Sequence, residues 1–173
     1  MQRVNELFGK EVVRQTSGEK QGNVRDIVFD EGSLNIVALL VGGTIGRGRA
    51  LRWTSVASVG DVVVVGGEEA LGKLGEDLEV ADLRKKSHTI TGTEIVTQEG
   101  EKIGEVRDIF VNERGRVGGY EVSRGMISDL RGRKFLPMEN VQAIGKDTII
   151  VSNPDLLPVA EAETARGSDY PLR

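Results

Sequence analysis

Arginine and lysine gather in two glycine-containing stretches. The first, Gly42-Gly43-Thr44-Ile45-Gly46-Arg47-Gly48-Arg49, is followed closely by Arg52; the second, running from Ser123 to Lys134, holds Arg124, Arg131, Arg133 and Lys134. A guanidinium presents a planar fork of donors to carboxylate or phosphate, and glycine lets a partner approach the backbone. Arg47, Arg49, Arg52, Arg124, Arg131, Arg133 and Lys134 are therefore the candidate contacts for an anionic partner, either an acidic protein surface or RNA phosphate. A solvated loop balanced by Asp129 and nearby acids is the alternative that the residues leave open. The spacing Gly43-x-x-Gly46-x-Gly48 does not make a phosphate cradle: Gly-Lys-Ser/Thr is missing, and a loop between two strands offers no helix N-terminus to an anion.

Other chemistry-bearing residues read more naturally as structure. Arg25-Asp26 recurs as Arg107-Asp108 and could be a recognition pair displayed twice, but a carboxylate beside a turn commonly accepts backbone N–H bonds or fixes a bend with a neighbouring arginine. Trp53, the single tryptophan, suits core or inter-domain packing better than base stacking, which usually uses several aromatics on one surface. His88, the single histidine, has no partner constellation at recognisable spacing. The 27 carboxylates suggest no general acid and base pair, and the absence of cysteine excludes thiolate metal sites and cysteine nucleophiles. No catalytic residue, cofactor or metal is expected, and the chain is not expected to be an enzyme.

The elements that carry these residues occur twice. Ser17-Gly18-Glu19-Lys20-Gln21-Gly22-Asn23-Val24-Arg25-Asp26-Ile27-Val28-Phe29-Asp30 returns as Glu99-Gly100-Glu101-Lys102-Ile103-Gly104-Glu105-Val106-Arg107-Asp108-Ile109-Phe110-Val111-Asn112. Gly9-Lys10-Glu11-Val12-Val13 matches Gly92-Thr93-Glu94-Ile95-Val96, and Val56-Ala57-Ser58-Val59-Gly60 matches Val141-Gln142-Ala143-Ile144-Gly145. Two units of this length read as tandem domains, because solenoids need more repeats to bury a continuous core. The boundaries expected are 1–66 for the first domain, 67–90 for a packed connector, 91–158 for the second domain and 159–173 for a disordered polar tail.

Within each copy, short β-branched runs alternate with Gly, Asp and Asn turns, which predicts five or six short strands closing into a small barrel. In the central strand the alternation breaks: Val24 belongs to one face and Ile27 and Phe29 to the other, as do Val106, Ile109 and Val111. A β-bulge near Asp26 and Asp108 would turn both sets inward. Val117-Gly118-Gly119-Tyr120-Glu121-Val122 is less apolar than its counterpart Asn35–Val41, which predicts a more open second barrel at that strand. Glu68–Leu74 is expected to form a helical turn in the connector, held by Leu71, Leu74, Leu78, Val80 and Leu83.

Length and composition set the outer limits. A chain of 173 residues with 23 glycines and no cysteine fits two small turn-rich β domains without a disulfide framework. Domains of roughly 70 residues bury a modest core, so packing together or homodimerisation is expected. No stretch approaches the ~18 apolar residues of a membrane span, and no signal-peptide core is present; a cytoplasmic location is expected. The formal net charge of −4 disfavours a nucleic-acid binder that uses its whole surface.

A strand, then G-E-K-x-G-x-V-R-D-I, then an Asp or Asn turn, a second strand, and a Leu-Pro or Leu-Arg entry into a V-x-x-(I/V)-G hairpin resembles the PRC-barrel family. Gly18-Glu19-Lys20 with Gly22, Val24, Asp26 and Ile27 carries the pattern once; Gly100-Glu101-Lys102 with Gly104, Val106, Asp108, Ile109 and Leu136-Pro137 carries it again. The resemblance implies a compact β-barrel, as in the cytoplasmic part of the photosynthetic reaction-centre H subunit, the ribosome-maturation factor RimM and small stand-alone prokaryotic proteins. It implies a protein-binding or assembly module, with no catalytic constellation to carry over. This chain departs from the H subunit in lacking a membrane helix, and from RimM in having a second copy where RimM has a different N-terminal barrel. The expected function is a non-catalytic interaction module with an unidentified protein partner; contact with RNA or the ribosome, and small-ligand binding, are the alternatives.

Overall fold

A computed structural model describes residues 1–42, 48–67, 71–87, 89–125 and 132–164. They form two compact units: Glu6–Ser87 with Glu113–Arg116, and Met1–Asn5 with His88–Asn112 and Val117–Arg173. The chain's first strand, β1 (Gln2–Arg3), thus belongs with the second copy.

The first unit contains β2 (Glu11–Arg14), β3 (Lys20–Phe29), β4 (Ile36–Val41), β5 (Arg49–Arg52), β6 (Val56–Val59), β7 (Val63–Val65) and β8 (Leu71–Lys73), then α1 (Leu78–Lys86). The sheet order is β6-β7-β2-β3-β4-β5-β8. Its pairings are antiparallel except β2 with β7, which run parallel. Alternation along Val63-Val64-Val65 puts the outer two valines inside, where Val12, Val24, Leu39 and Leu51 are also buried.

The register of β3 on β4 shifts between Val24 and Asp26, so Val24 and Ile27 both face the interior despite their odd spacing. The register of the second copy shifts at the corresponding place, between Val106 and Asp108. On the other face of the first sheet, α1 sets Val80 against Val28, Ala38, Leu40 and Ala50, with Val37, Leu74 and Leu83 packed around them. Asp77 caps the helix by accepting from the Val80 N–H at 3.2 Å, and Arg84, Lys85 and Lys86 occupy its last turn, the favourable end for cations.

The second unit contains β9 (Glu94–Thr97), β10 (Lys102–Val111), β11 (Val117–Ser123), β12 (Lys134–Pro137), β13 (Val141–Ile144), β14 (Thr148–Val151) and β15 (Leu157–Pro158), then α2 (Val159–Thr164). Its order is β13-β14-β9-β10-β11-β12-β15, with β1 added against β10; β14 and β9 are parallel. Val159 and Ala162 of α2 cover Phe110 and Phe135, whose rings meet edge to face at 5.4 Å. The chain is therefore all-β, two small tandem barrels produced by duplication, with a short partly helical connector.

Three local expectations change. Leu71–Lys73 is a strand paired with β5, where a helical turn was expected; residues 68–70 lie outside the described residues. Val159–Thr164, placed by sequence in a disordered tail, is a helix with two buried residues, and residues 165–173 lie outside the described ones. The strand Val117–Ser123 is closed, not open: Tyr120 and Glu121 are buried because the glycines beside them are covered. A Cβ on Gly119 would overlap the Leu136 carbonyl and approach Phe135 Cζ to 2.5 Å, and one on Gly118 would strike the Met1 sulfur.

Candidate interaction site

The duplicated aspartates hold their own bulges. Asp26 accepts from the Ile27 N–H at 2.9 Å and Asp108 from the Ile109 N–H at 2.8 Å. Asp26 also meets Arg84 of α1 at 3.3 Å, and Asp108 the Asn5 N–H at 3.2 Å. Burial raises the Asp108 carboxyl above the ordinary Asp value, against the two backbone hydrogen bonds that act to lower it. Trp53 is buried with its indole against Gly115, where a Cβ would come within 2.6 Å of Nε1.

The seven candidate cations divide. Arg47 and Arg131 lie outside the described residues, as do His88 and most of the Gly43–Gly48 loop. Arg49 donates to the Gln21 carbonyl and to Gln21 Oε1 at 3.4 Å. Arg124 donates to the Ile103 carbonyl at 3.0 Å. Arg52 forks onto Asp77, with Nε and Nη2 each 2.7 Å from a carboxylate oxygen, and reaches Glu79 at 2.8 Å. These bonds fasten α1 to β5, hold Asp77 below the usual carboxylate range and make Arg52 harder to deprotonate. Lys134 is half-buried on β12, opposite Val122 and Pro158.

Arg133 enters a cluster that sequence reasoning did not find. Its Nε lies 3.5 Å from Glu121 Oε1, and Arg107 Nε lies 3.6 Å from the same oxygen. Both arginines are half-exposed, whereas the Glu121 side chain is 2 % exposed. Oε1 accepts no hydrogen bond; Oε2 takes the Arg3 Nε at 3.0 Å. By strand register Glu121 stands opposite Asp108, as Leu40 stands opposite Asp26 in the first copy. That exchange of leucine for glutamate was the available signal, since a lone carboxylate in a buried strand requires cations around it.

Among the described residues, no three or more His, Cys, Asp or Glu side chains gather as a metal would require, and no helix is long and apolar enough to cross a membrane. The arrangement offers half-exposed guanidiniums on a rigid barrel. A comparison with curated proteins finds no matching relative. The family description "PRC-barrel domain" matches residues 1–71 and again 84–157; the first match includes β2 to β7 and the second β9 to β14. The chain belongs to the PRC-barrel domain family, of which it carries two tandem copies.

Proposed function

We propose that the chain is a non-catalytic protein-interaction and assembly module working in the cytoplasm, and that the second copy makes the charged contact. The observation that carries this reading is the convergence of Arg107 and Arg133, both half-exposed, on one buried oxygen of Glu121. The buried anion offsets their mutual repulsion and holds two forks at a fixed place, which favours an acidic protein surface. The first copy has Leu40 and Gly48 at the positions of Glu121 and Arg133, so its loop lacks the same clamp.

Arg131 and Lys134 extend the basic stretch along the chain, while Arg49, Arg52 and Arg124 act within the fold. The test is charge reversal: R133E/K134E lowers partner affinity at least tenfold at low salt while the circular dichroism spectrum stays that of the parent. Unchanged affinity removes the proposal. A second copy of the chain and ribosomal RNA are the partners against which the acidic protein is to be distinguished, by sedimentation and by the steep salt dependence expected of phosphate contacts.

A further inference from the structure

The edge of β10 at Phe110 and Val111 is occupied by β1, with Gln2 opposite Val111 and Arg3 opposite Phe110. Arg3 is held on three sides. Its Nε donates to Glu121 Oε2 at 3.0 Å, its Nη2 lies 2.7 Å from Glu163 Oε1 on α2, and its guanidinium carbon stands 5.3 Å from the centre of the Phe110 ring. Two residues further on, the Asn5 N–H donates to Asp108 Oδ1. Main-chain pairing along a sheet edge, a buried carboxylate for a guanidinium, an aromatic face beneath it and an acceptor for a later N–H are together the features that read an extended segment containing arginine.

The fold itself does not call for this chemistry. At the position of Glu121 the first copy uses Leu40, packed among Val28, Ala38, Ala50 and Val80, and an apolar residue is commonly as stabilising as a buried ion pair, or more so. Nor does the site collapse electrostatically when its guanidinium leaves. Arg107 and Arg133 face the other oxygen of Glu121, so the carboxylate retains two cations. The segment in place pairs through only two residues. Its other anchors are Met1, packed against Phe110 and Phe135, and buried Val4, apolar contacts that an incoming segment with apolar residues beside its arginine would replace.

We propose that this edge of the second barrel is a docking site for an extended, arginine-bearing segment of a partner protein, and that residues 2–5 occupy it as a displaceable strap. The partner's arginine takes the place of Arg3 between Glu121, Glu163 and Phe110, and its backbone pairs with Phe110–Val111. The strap has the advantage of being tethered, equivalent to a local concentration of about millimolar, so a successful partner must make additional contacts along the edge. This site shares Glu121 with the loop contact proposed above but uses its other oxygen, Oε2, and the Arg3 position; charge reversal at Arg133 and Lys134 tests the loop and the octapeptide tests the edge, so the two failures are distinguishable.

The test uses a fluorescein-labelled octapeptide of the chain's own residues 1–8, Met-Gln-Arg-Val-Asn-Glu-Leu-Phe, added to the full chain. Arg3→Ala in the chain loosens the strap, and this variant binds the octapeptide at least tenfold more tightly than the parent. An octapeptide with alanine in place of its arginine binds that variant at least tenfold more weakly, and R3A/E121Q loses discrimination between the two peptides. A folded Arg3→Ala chain that binds neither peptide, or both equally, overturns the proposal. Should Arg3→Ala fail to fold, hydrogen exchange on the parent decides: amides of Arg3–Asn5 that exchange well before Ile109 support a displaceable strap, and exchange at the rate of Ile109 contradicts it.

Discussion

Arg49 and Arg124 stand at opposite ends of corresponding loops, yet they donate to corresponding carbonyls, Gln21 and Ile103. The register of β2 on β3 skips Gln21, and that of β9 on β10 skips Ile103. Each carbonyl therefore belongs to a bulged residue outside the ladder, and a guanidinium satisfies it. The duplication has kept the hydrogen bond while changing the residue that supplies it. With Arg52, which fastens α1 to β5, three of the seven cations suggested by sequence thus have work inside the fold.

Arg49→Ala and Arg124→Ala should each lower stability by about 1 kcal/mol, below the ~1.5–3 kcal/mol of a charged hydrogen bond because both groups reach solvent. Urea denaturation checks this through the midpoint. Neither substitution should weaken partner binding by more than the loss of folded protein explains.

Arg52→Ala should cost about 1 kcal/mol and loosen α1, because the bidentate pair with Asp77 also positions the helix cap. A double-mutant cycle with Asp77→Ala should give losses smaller than additive, since either single change breaks the same contact. Full additivity would mean that cap and pair act separately.

Acid should affect the two aspartates in opposite directions. Asp77 is lowered by Arg52, so its contribution is present above the unfolded-state value and is lost as pH falls through its folded value. Asp108 is raised by burial; its ionisation opposes folding at neutral pH, and that penalty lifts as pH falls through its folded value toward the ordinary one. Carboxyl carbon chemical shifts followed from pH 7 to 2 should place the Asp108 midpoint above that of Asp77. The reverse order would contradict the geometry of both sites.

The cores exchange volume between copies. Ala38 and Ala50 in the first become Gly119 and Phe135 in the second, and the phenylalanine ring lies where a Cβ on Gly119 would stand. Gly119→Ala should therefore destabilise by about 1–3 kcal/mol through overpacking. Ala38→Gly should cost about 0.5–1 kcal/mol, mainly from backbone freedom. Thermal melts of the two variants compare them directly.

This compensation explains why part of the fold was not legible. Gly118-Gly119 signals an opening only if Phe135 and Met1, distant in sequence, are left out of account. The bulges at Asp26 and Asp108 were legible because alternation breaks within a single strand, where side-chain direction is fixed by neighbours. The three-residue β8 contains Gly72 and too few residues to display a period, and the terminal helix Val159–Thr164 buries only one side of one turn and a half. Within the candidate site, basic loops were visible as composition, but Glu121 was not, because its partners Arg3, Arg107 and Arg133 come from separate segments that only strand register assembles. The comparison of Glu121 with Leu40 was available in the sequence and would have marked the place.

A module of this kind must bind another protein in the cell. Affinity capture of the tagged full chain from extract of its own cells, with and without ribonuclease and alongside R133E/K134E, tests it most directly. A defined protein partner that survives ribonuclease and is lost with R133E/K134E is the expected result. Recovery of ribosomal components that vanish with ribonuclease, or of the chain alone, would contradict it.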